Sequence, residues 1–203
     1  MSEREVFTTI YKNNYWNSLE SKSGKGSEQI QTKEIQHQIQ LMINKYHIKS
    51  IADIACGDFN WMKNIVNEEL SYCGYDIVEE LITNNNKLYK KENIHFGLKD
   101  IIHDKIPTVD LIVCRDCFVH LSYNSIKKCL KNIKASKSKY LLTTSFTKHK
   151  PNFDIASGDW RALNLSIKPF YLVNPIDSII ENCTEDDGEF KDKSLLLFEI
   201  INL

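Results

Sequence analysis

The feature that most constrains this chain is an alternation that runs from residue 49 to residue 146. Short apolar runs at Lys49 to Ile54, Tyr72 to Asp76, Asn93 to Leu98, Val109 to Cys114 and Tyr140 to Phe146 have the length of strands. Patterns of helical period are interleaved with them. One carries Trp61, Met62, Ile65, Val66 and Leu70, the next Val78, Leu81, Ile82 and Leu88, and the last Ile126, Cys129, Leu130 and Ile133. Strands alternating with helices imply βαβ units and an α/β fold, with a mostly parallel sheet covered on both faces.

The flanks read differently. Residues 1–26 are polar with scattered aromatics (Phe7, Tyr11, Tyr15, Trp16), and Ser18 to Ser27 reads as a loop. A helix is expected from Ser27, as N-cap, to Tyr46, with an apolar stripe of Ile35, Ile39, Met42 and Ile43. Residues 147–175 hold three of the four prolines and no clear period, so a long loop is expected, of the kind that usually has a function. Two strand-like runs, Ile176 to Cys183 and Ser194 to Ile201, close the chain as a hairpin around an acidic turn. No repeat or linker splits the 203 residues, so a single domain is expected.

Composition removes several classes. The formal charge of −1 gives no electrostatic footprint for non-specific nucleic-acid binding. No apolar window is long enough for a membrane span, and the N-terminus has no apolar signal region, so a cytoplasmic protein with its six cysteines reduced is expected. The seven glycines are scattered, which excludes a multi-glycine phosphate loop.

In an open parallel sheet, ligands bind outside the carboxyl ends of the strands, near the switch in strand order. The strand exits therefore carry the argument. The first run leaves as Asp53-Ile54-Ala55-Cys56-Gly57-Asp58-Phe59-Asn60-Trp61, an acid and small residues ahead of a helical pattern. The second leaves at Asp76-Ile77, where a carboxylate about 20 residues past the first turn suits two ribose hydroxyls. The third leaves at Asp100-Ile101, and the fourth at Arg115-Asp116 with His120 following.

These residues resemble the class I S-adenosylmethionine-dependent methyltransferases. Asp53 to Phe59 stands where that family has its first motif, Asp76 is similar to the acid that holds the ribose, and Asp100-Ile101 to the pair that contacts the adenine. Asp110 to Leu121 resembles the fourth-strand motif. The resemblance covers roughly residues 45–146. It implies a Rossmann-like, three-layer α/β/α fold with a seven-stranded sheet whose last strand is antiparallel and slots beside the fifth. It implies S-adenosyl-L-methionine as cofactor and S-adenosyl-L-homocysteine as product. The implied cofactor residues are Asp53, Ala55, Cys56, Gly57, Asn60, Trp61, Asp76, Ile77, Asp100, Ile101 and Arg115. In that frame residues 1–46 are a lid and helix, 47–146 the cofactor-binding core, and 147–203 an acceptor loop and closing hairpin.

More narrowly, Cys56 to Trp61 with Cys114-Arg115-Asp116 and Trp160-Arg161 resembles small bacterial and viral methyltransferases associated with surface-glycan modification. This implies O-methylation of a sugar, or of a group carried on one, with a small molecule or glycan as the acceptor. RNA methylation and a non-catalytic cofactor-binding domain are the alternatives.

The chain departs from the first motif at two of its three glycines, Ala55 and Phe59. Ala55 permits close approach if its φ is negative, and Phe59 is expected to wall the methionine end of the site. Methyl transfer to a hydroxyl needs a base, for which His120 and Asp116 are the candidates. Asp116 has two other readings, bonding the cofactor's ammonium or orienting His120. Arg115 and Arg161 stand out in a chain with only one other Arg, because a planar fork binds carboxylate or phosphate. One is a candidate for the cofactor carboxylate and the other for an anionic substrate, such as a phosphorylated or nucleotide-linked sugar; an ordinary ion pair is the competing reading. Trp160, Arg161 and Asn164 are the candidate acceptor contacts. Cys114-x-x-Cys117 with His120 has the spacing of a redox or metal site, but buried thiols are commoner, and no metal is expected.

Overall fold

The computed structural model describes all 203 residues, the side chain of Asp186 excepted. The helices are α1 (Glu3–Lys12), α2 (Gln29–Lys45), α3 (Glu79–Tyr89) and α4 (Tyr123–Ala135). The strands are β1 (Ser50–Ile54), β2 (Ser71–Asp76), β3 (Ile94–Leu98), β4 (Leu111–Cys114), β5 (Tyr140–Phe146), β6 (Asp177–Ile180) and β7 (Lys193–Glu199).

The seven strands form one sheet in the order β3-β2-β1-β4-β5-β7-β6. β1 to β5 pair in parallel, while β7 runs antiparallel between β5 and β6, as expected. β4 shows why the sheet is covered on both faces: all four of its residues are buried. Leu111 and Val113 join one core with Ile35, Ile39 and Met42 of α2 and Leu81 and Ile82 of α3. Ile112 and Cys114 join the other with Ile126, Cys129 and Ile133 of α4. Alternate side chains of a strand point to opposite faces, so an uninterrupted apolar run serves two helical layers. Among the described residues, no helix is long and apolar enough to cross a membrane.

Three local expectations are corrected. Residues 1–26 contain a helix, α1, closed by a capping box in which Ser2 Oγ accepts from Glu5 N and Glu5 Oε2 accepts from Ser2 N. α2 starts one residue late, with Glu28 as its cap, because Lys25–Ser27 forms a 3-10 turn first. The pattern from Trp61 to Leu70 forms only a 3-10 turn, Met62–Asn64. There the carbonyls of Asn60 and Asn64 accept side-chain amides from Gln29 and Gln40 of α2, at 2.7 and 3.3 Å, instead of feeding an α-helical ladder.

The order of strands reverses between β1 and β4. Their carboxyl ends therefore diverge into a crevice, as the topology of open α/β sheets requires.

Candidate active site

That crevice is a cavity walled by strand exits. Asp53, Ala55, Cys56, Gly57, Asp76, Ile77, Asp100, Ile101, Arg115, Asp116 and His120 all line it, and Trp61 closes one end. The N-terminal segment covers it through Glu3, Phe7 and Tyr11 of α1 and then Trp16, Lys22, Ser23 and Ser27. A second cavity adjoins it. Trp16, Ser23, Asp116 and His120 line both, and the second is completed by Trp160, Phe146, Phe190, Glu185 and Lys193 among others.

Two carboxylates are held deep in the first cavity. Asp76 accepts the backbone N–H of Gly57 at 3.1 Å on Oδ2 and that of Val78 at 3.0 Å on Oδ1, tying the first turn to the β2 exit. Burial pushes its pKa up, and these two donors oppose that rise. Asp53 accepts the Tyr72 hydroxyl at 2.8 Å. Burial raises Asp53 to about 7; the Tyr72 bond and the Arg115 charge lower it, and the Asp76 charge adds to the rise. Asp100, at the third exit, accepts Ile102 N–H at 2.9 Å and pairs with His103 Nδ1 at 2.8 Å.

The first turn is strained and held from outside. Ala55 has φ +59, not the negative value expected, and Gly57 has φ +58. A Cβ on Gly57 would fall 2.1 Å from Ser23 Oγ. Asp58 anchors the covering segment, accepting from Ser21 Oγ at 3.0 Å, Lys22 N at 2.8 Å and Ser23 Oγ at 3.3 Å. Asn60 lines neither cavity and is corrected to an anchor of the same segment, donating to Glu20 Oε1 and the Ser27 carbonyl. Phe59 does not wall the site. It turns into the core against Tyr72, Tyr89 and Phe96, with ring centroids 4.9 to 5.4 Å away.

At the fourth exit four charges interlock. Arg115 Nη2 donates to Glu181 at 2.7 Å and to the Gly26 carbonyl at 2.9 Å, and Nη1 lies 3.3 Å from Asp116. Lys193 Nζ lies 2.7 Å from Asp116 and 3.5 Å from Glu181. Arg115 is thus an ion-pair residue through Nη1 and Nη2; it also lines the first cavity, and its Nε has no partner. Burial would raise the pKa of Asp116, but Lys193 and Arg115 overcome it and hold the carboxyl well below the usual range. Asp116 is therefore a fixed anion, a poor base and a good hydrogen-bond acceptor. Glu181 and Lys193 went unseen in the sequence because they lie in the closing hairpin.

His120 sits where the cavities meet. Its Nδ1 is 3.0 Å from the Asp159 carbonyl, and since a carbonyl only accepts, Nδ1 carries the proton and Nε2 the lone pair. Burial lowers its pKa, against the opposing pull of that bond and of the Asp116 charge, so the neutral ring prevails at pH 7. The Trp16 ring lies 4.9 Å from it.

The acceptor-loop expectations are corrected in two places. Arg161 is fully buried and lines neither cavity: its guanidinium donates to the carbonyls of Phe118, Val119 and Leu121 at 2.9 to 3.1 Å. Asn164 is buried too, donating to the Thr147 and His149 carbonyls, and lines neither cavity. Both residues hold the loop in shape. Trp160 is 45% exposed and lines the second cavity, packed edge-on against Phe146 and Phe190. Cys114 and Cys129 are buried thiols whose pKa burial pushes well up, so neither is a thiolate at neutral pH.

Known proteins agree with this architecture. Residues 51–138 match the model of a methyltransferase domain family. No curated protein matches the chain. Among solved structures, human N-acetylserotonin methyltransferase, solved with S-adenosylmethionine, is similar over 98% of this chain and 60% of its own, at 13% identity and a TM-score of 0.65. An S-adenosylmethionine-dependent methyltransferase from Clostridium acetobutylicum is similar over 82% of this chain and 91% of its own, at 15% identity and a TM-score of 0.61. The N-methyltransferase NodS of Bradyrhizobium japonicum, solved with S-adenosyl-L-homocysteine, is similar over 83% and 87%, at 12% identity and a TM-score of 0.60. Residues 51–138 therefore resemble a methyltransferase domain, and the chain has the fold of these S-adenosylmethionine-dependent enzymes.

Proposed function

We propose that this protein binds S-adenosylmethionine in the first cavity and transfers its methyl group to a hydroxyl of a sugar, or of a group carried on one, that enters through the second. The residues present suit that cofactor. Asp76 is a buried carboxylate at the β2 exit with only backbone N–H donors as partners, which leaves it able to accept two ribose hydroxyls. Asp100 and Ile101 stand beside it for an adenine edge and face, and Ile77 supplies an apolar wall. Asp53, desolvated and raised to about 7, is suited to receive an ammonium, which would return it to its charged form. α1 and residues 16–27 act as the lid.

When bound, the cofactor supplies an electrophilic methyl on a sulfonium. The chain's own groups do the rest. Asp116, kept ionised, accepts a hydrogen bond from a second hydroxyl of the acceptor and so turns the reacting hydroxyl toward His120. His120 Nε2 then takes the proton. The observation that carries this reading is the position of His120 at the junction of the two cavities, with its tautomer set by Asp159. A non-catalytic binding domain would have no need of the second cavity.

Calorimetric titration with S-adenosylmethionine, S-adenosylhomocysteine and NAD tests the first half. The first two should bind and NAD should not, and Asp76→Ala should weaken binding by about tenfold or more. Methyl incorporation from labelled cofactor into a panel of sugars and nucleotide sugars tests the second half. Incorporation into an RNA or protein fraction instead would overturn the acceptor class.

A further inference from the structure

The second cavity carries information about the charge of the acceptor. Its walls are aromatic: Trp160 packs edge-on against Phe190 at 5.1 Å and Phe146 at 6.0 Å, and Trp16 stands at the shared end with His120. Its floor is charged but internally neutralised. Lys193 is 2.7 Å from Asp116 and 3.5 Å from Glu181, and Arg115 is 2.7 Å from Glu181. Lys193, the buried cation that lines this cavity, is engaged by two carboxylates, Arg115 does not line it, and Arg161 donates to backbone carbonyls. The other lining cation, Lys25, is exposed to solvent, so an anionic acceptor inside the cavity would face Asp116 and Glu185. Both of these carboxylates accept hydroxyl hydrogen bonds well.

We infer that the second cavity takes an uncharged, hydroxyl-bearing ring, a neutral glycosyl unit stacked on Trp160, with its hydroxyls read by Asp116 and Glu185. This rests on the methyl-transfer reading and replaces the anionic acceptor expected from the two arginines. An aromatic face meets the C–H face of such a ring, while paired carboxylates meet its edge.

The test is saturation-transfer NMR on the full chain with three kinds of probe: methyl glycosides of neutral hexoses, hexose 1-phosphates, and the methyl glycoside of glucosamine. Parallel calorimetry with S-adenosylhomocysteine reports on the first cavity separately. At least one neutral glycoside should give transfer, and Trp160→Ala should weaken it by about tenfold, with Trp160→Phe recovering most of it. Undiminished S-adenosylhomocysteine binding by both variants would show that they are folded. Preferential transfer to the phosphate or the amino sugar, no transfer to any neutral glycoside, or transfer that survives Trp160→Ala would each overturn the inference. Loss of S-adenosylhomocysteine binding by the parent protein would overturn the cofactor reading instead, and leave the glycoside result to stand by itself.

Discussion

Lys193 Nζ lies 2.7 Å from Asp116 Oδ2, joining the exit of β4 to the start of β7 across the floor of the second cavity. The Lys193 side chain is only 5% exposed, so the pair is formed largely out of water. Lys193→Met should leave Asp116 and Glu181 sharing one cation and destabilise the fold by about 2–4 kcal/mol in urea titration. Adding Asp116→Asn should restore part of that loss. The pKa of Asp116 is lowered on folding, so its contribution is present above about pH 4 and is lost as pH falls below it. The parent should therefore lose more stability on acidification than the double variant.

Asp53 works in the opposite direction. Its folded pKa is raised to about 7, so between roughly pH 4 and 7 the folded chain holds a proton that the unfolded chain has released. The associated stability is full below about pH 4 and is lost as pH rises through 7. Asp53→Asn keeps an acceptor for Tyr72 and removes the titration. Without cofactor, the variant should show a stability profile flatter than the parent's by about 2–4 kcal/mol between pH 4 and 8. An unchanged slope would show that Asp53 does not titrate there.

His120 has a lowered pKa and must be neutral to accept a proton. Turnover should rise with pH through a limb whose midpoint lies below about 6.5. His120→Ala should cut kcat by about 100-fold or more while cofactor affinity stays within about twofold. Unchanged turnover in this variant removes His120 as the base.

Arg161 is a positioning residue for that same histidine. It grips the carbonyls of Phe118, Val119 and Leu121, while Gly158 N donates to the His120 carbonyl at 2.9 Å. Arg161→Lys cannot span these carbonyls and should cost about 2–3 kcal/mol of stability. It should also lower kcat and shift the pH midpoint of turnover without changing cofactor affinity. A stability loss with an unmoved pH profile would reduce Arg161 to scaffolding.

Gly57→Ala places a methyl against Ser23 at a positive φ. The strain and the displaced covering segment should destabilise the protein by about 1–2 kcal/mol. They should also weaken S-adenosylhomocysteine binding. Ser23→Gly in the same chain should recover part of the affinity by removing the clash, which thermal unfolding with and without S-adenosylhomocysteine would read.

Much of this molecule is legible in its residues taken in order. The period of the apolar runs from Lys49 to Phe146 determined five parallel strands and the edge where polar side chains gather, because side-chain alternation depends only on near neighbours. Asp53, Asp76 and Asp100 were visible for that reason, each standing at the end of a run or within two residues of it. α1 was legible as well, in the spacing of Ser2 and Glu5 and in the apolar stripe of Val6, Phe7, Ile10 and Tyr11, but it is short and the rest of the segment is polar.

The work of the charged side chains follows from long-range packing. Arg115 and Arg161 look alike in sequence, yet one is held by Glu181, 66 residues away, and the other by carbonyls about 40 residues away. Asp116 and Lys193 are 77 residues apart and meet because β7 slots in beside β5. A buried charge takes whichever partner packing brings within about 3 Å, and that choice is made by the topology of the whole sheet. The second cavity, assembled from Trp16, Trp160, Phe190 and Lys193, exists only once the two ends of the chain close over the core.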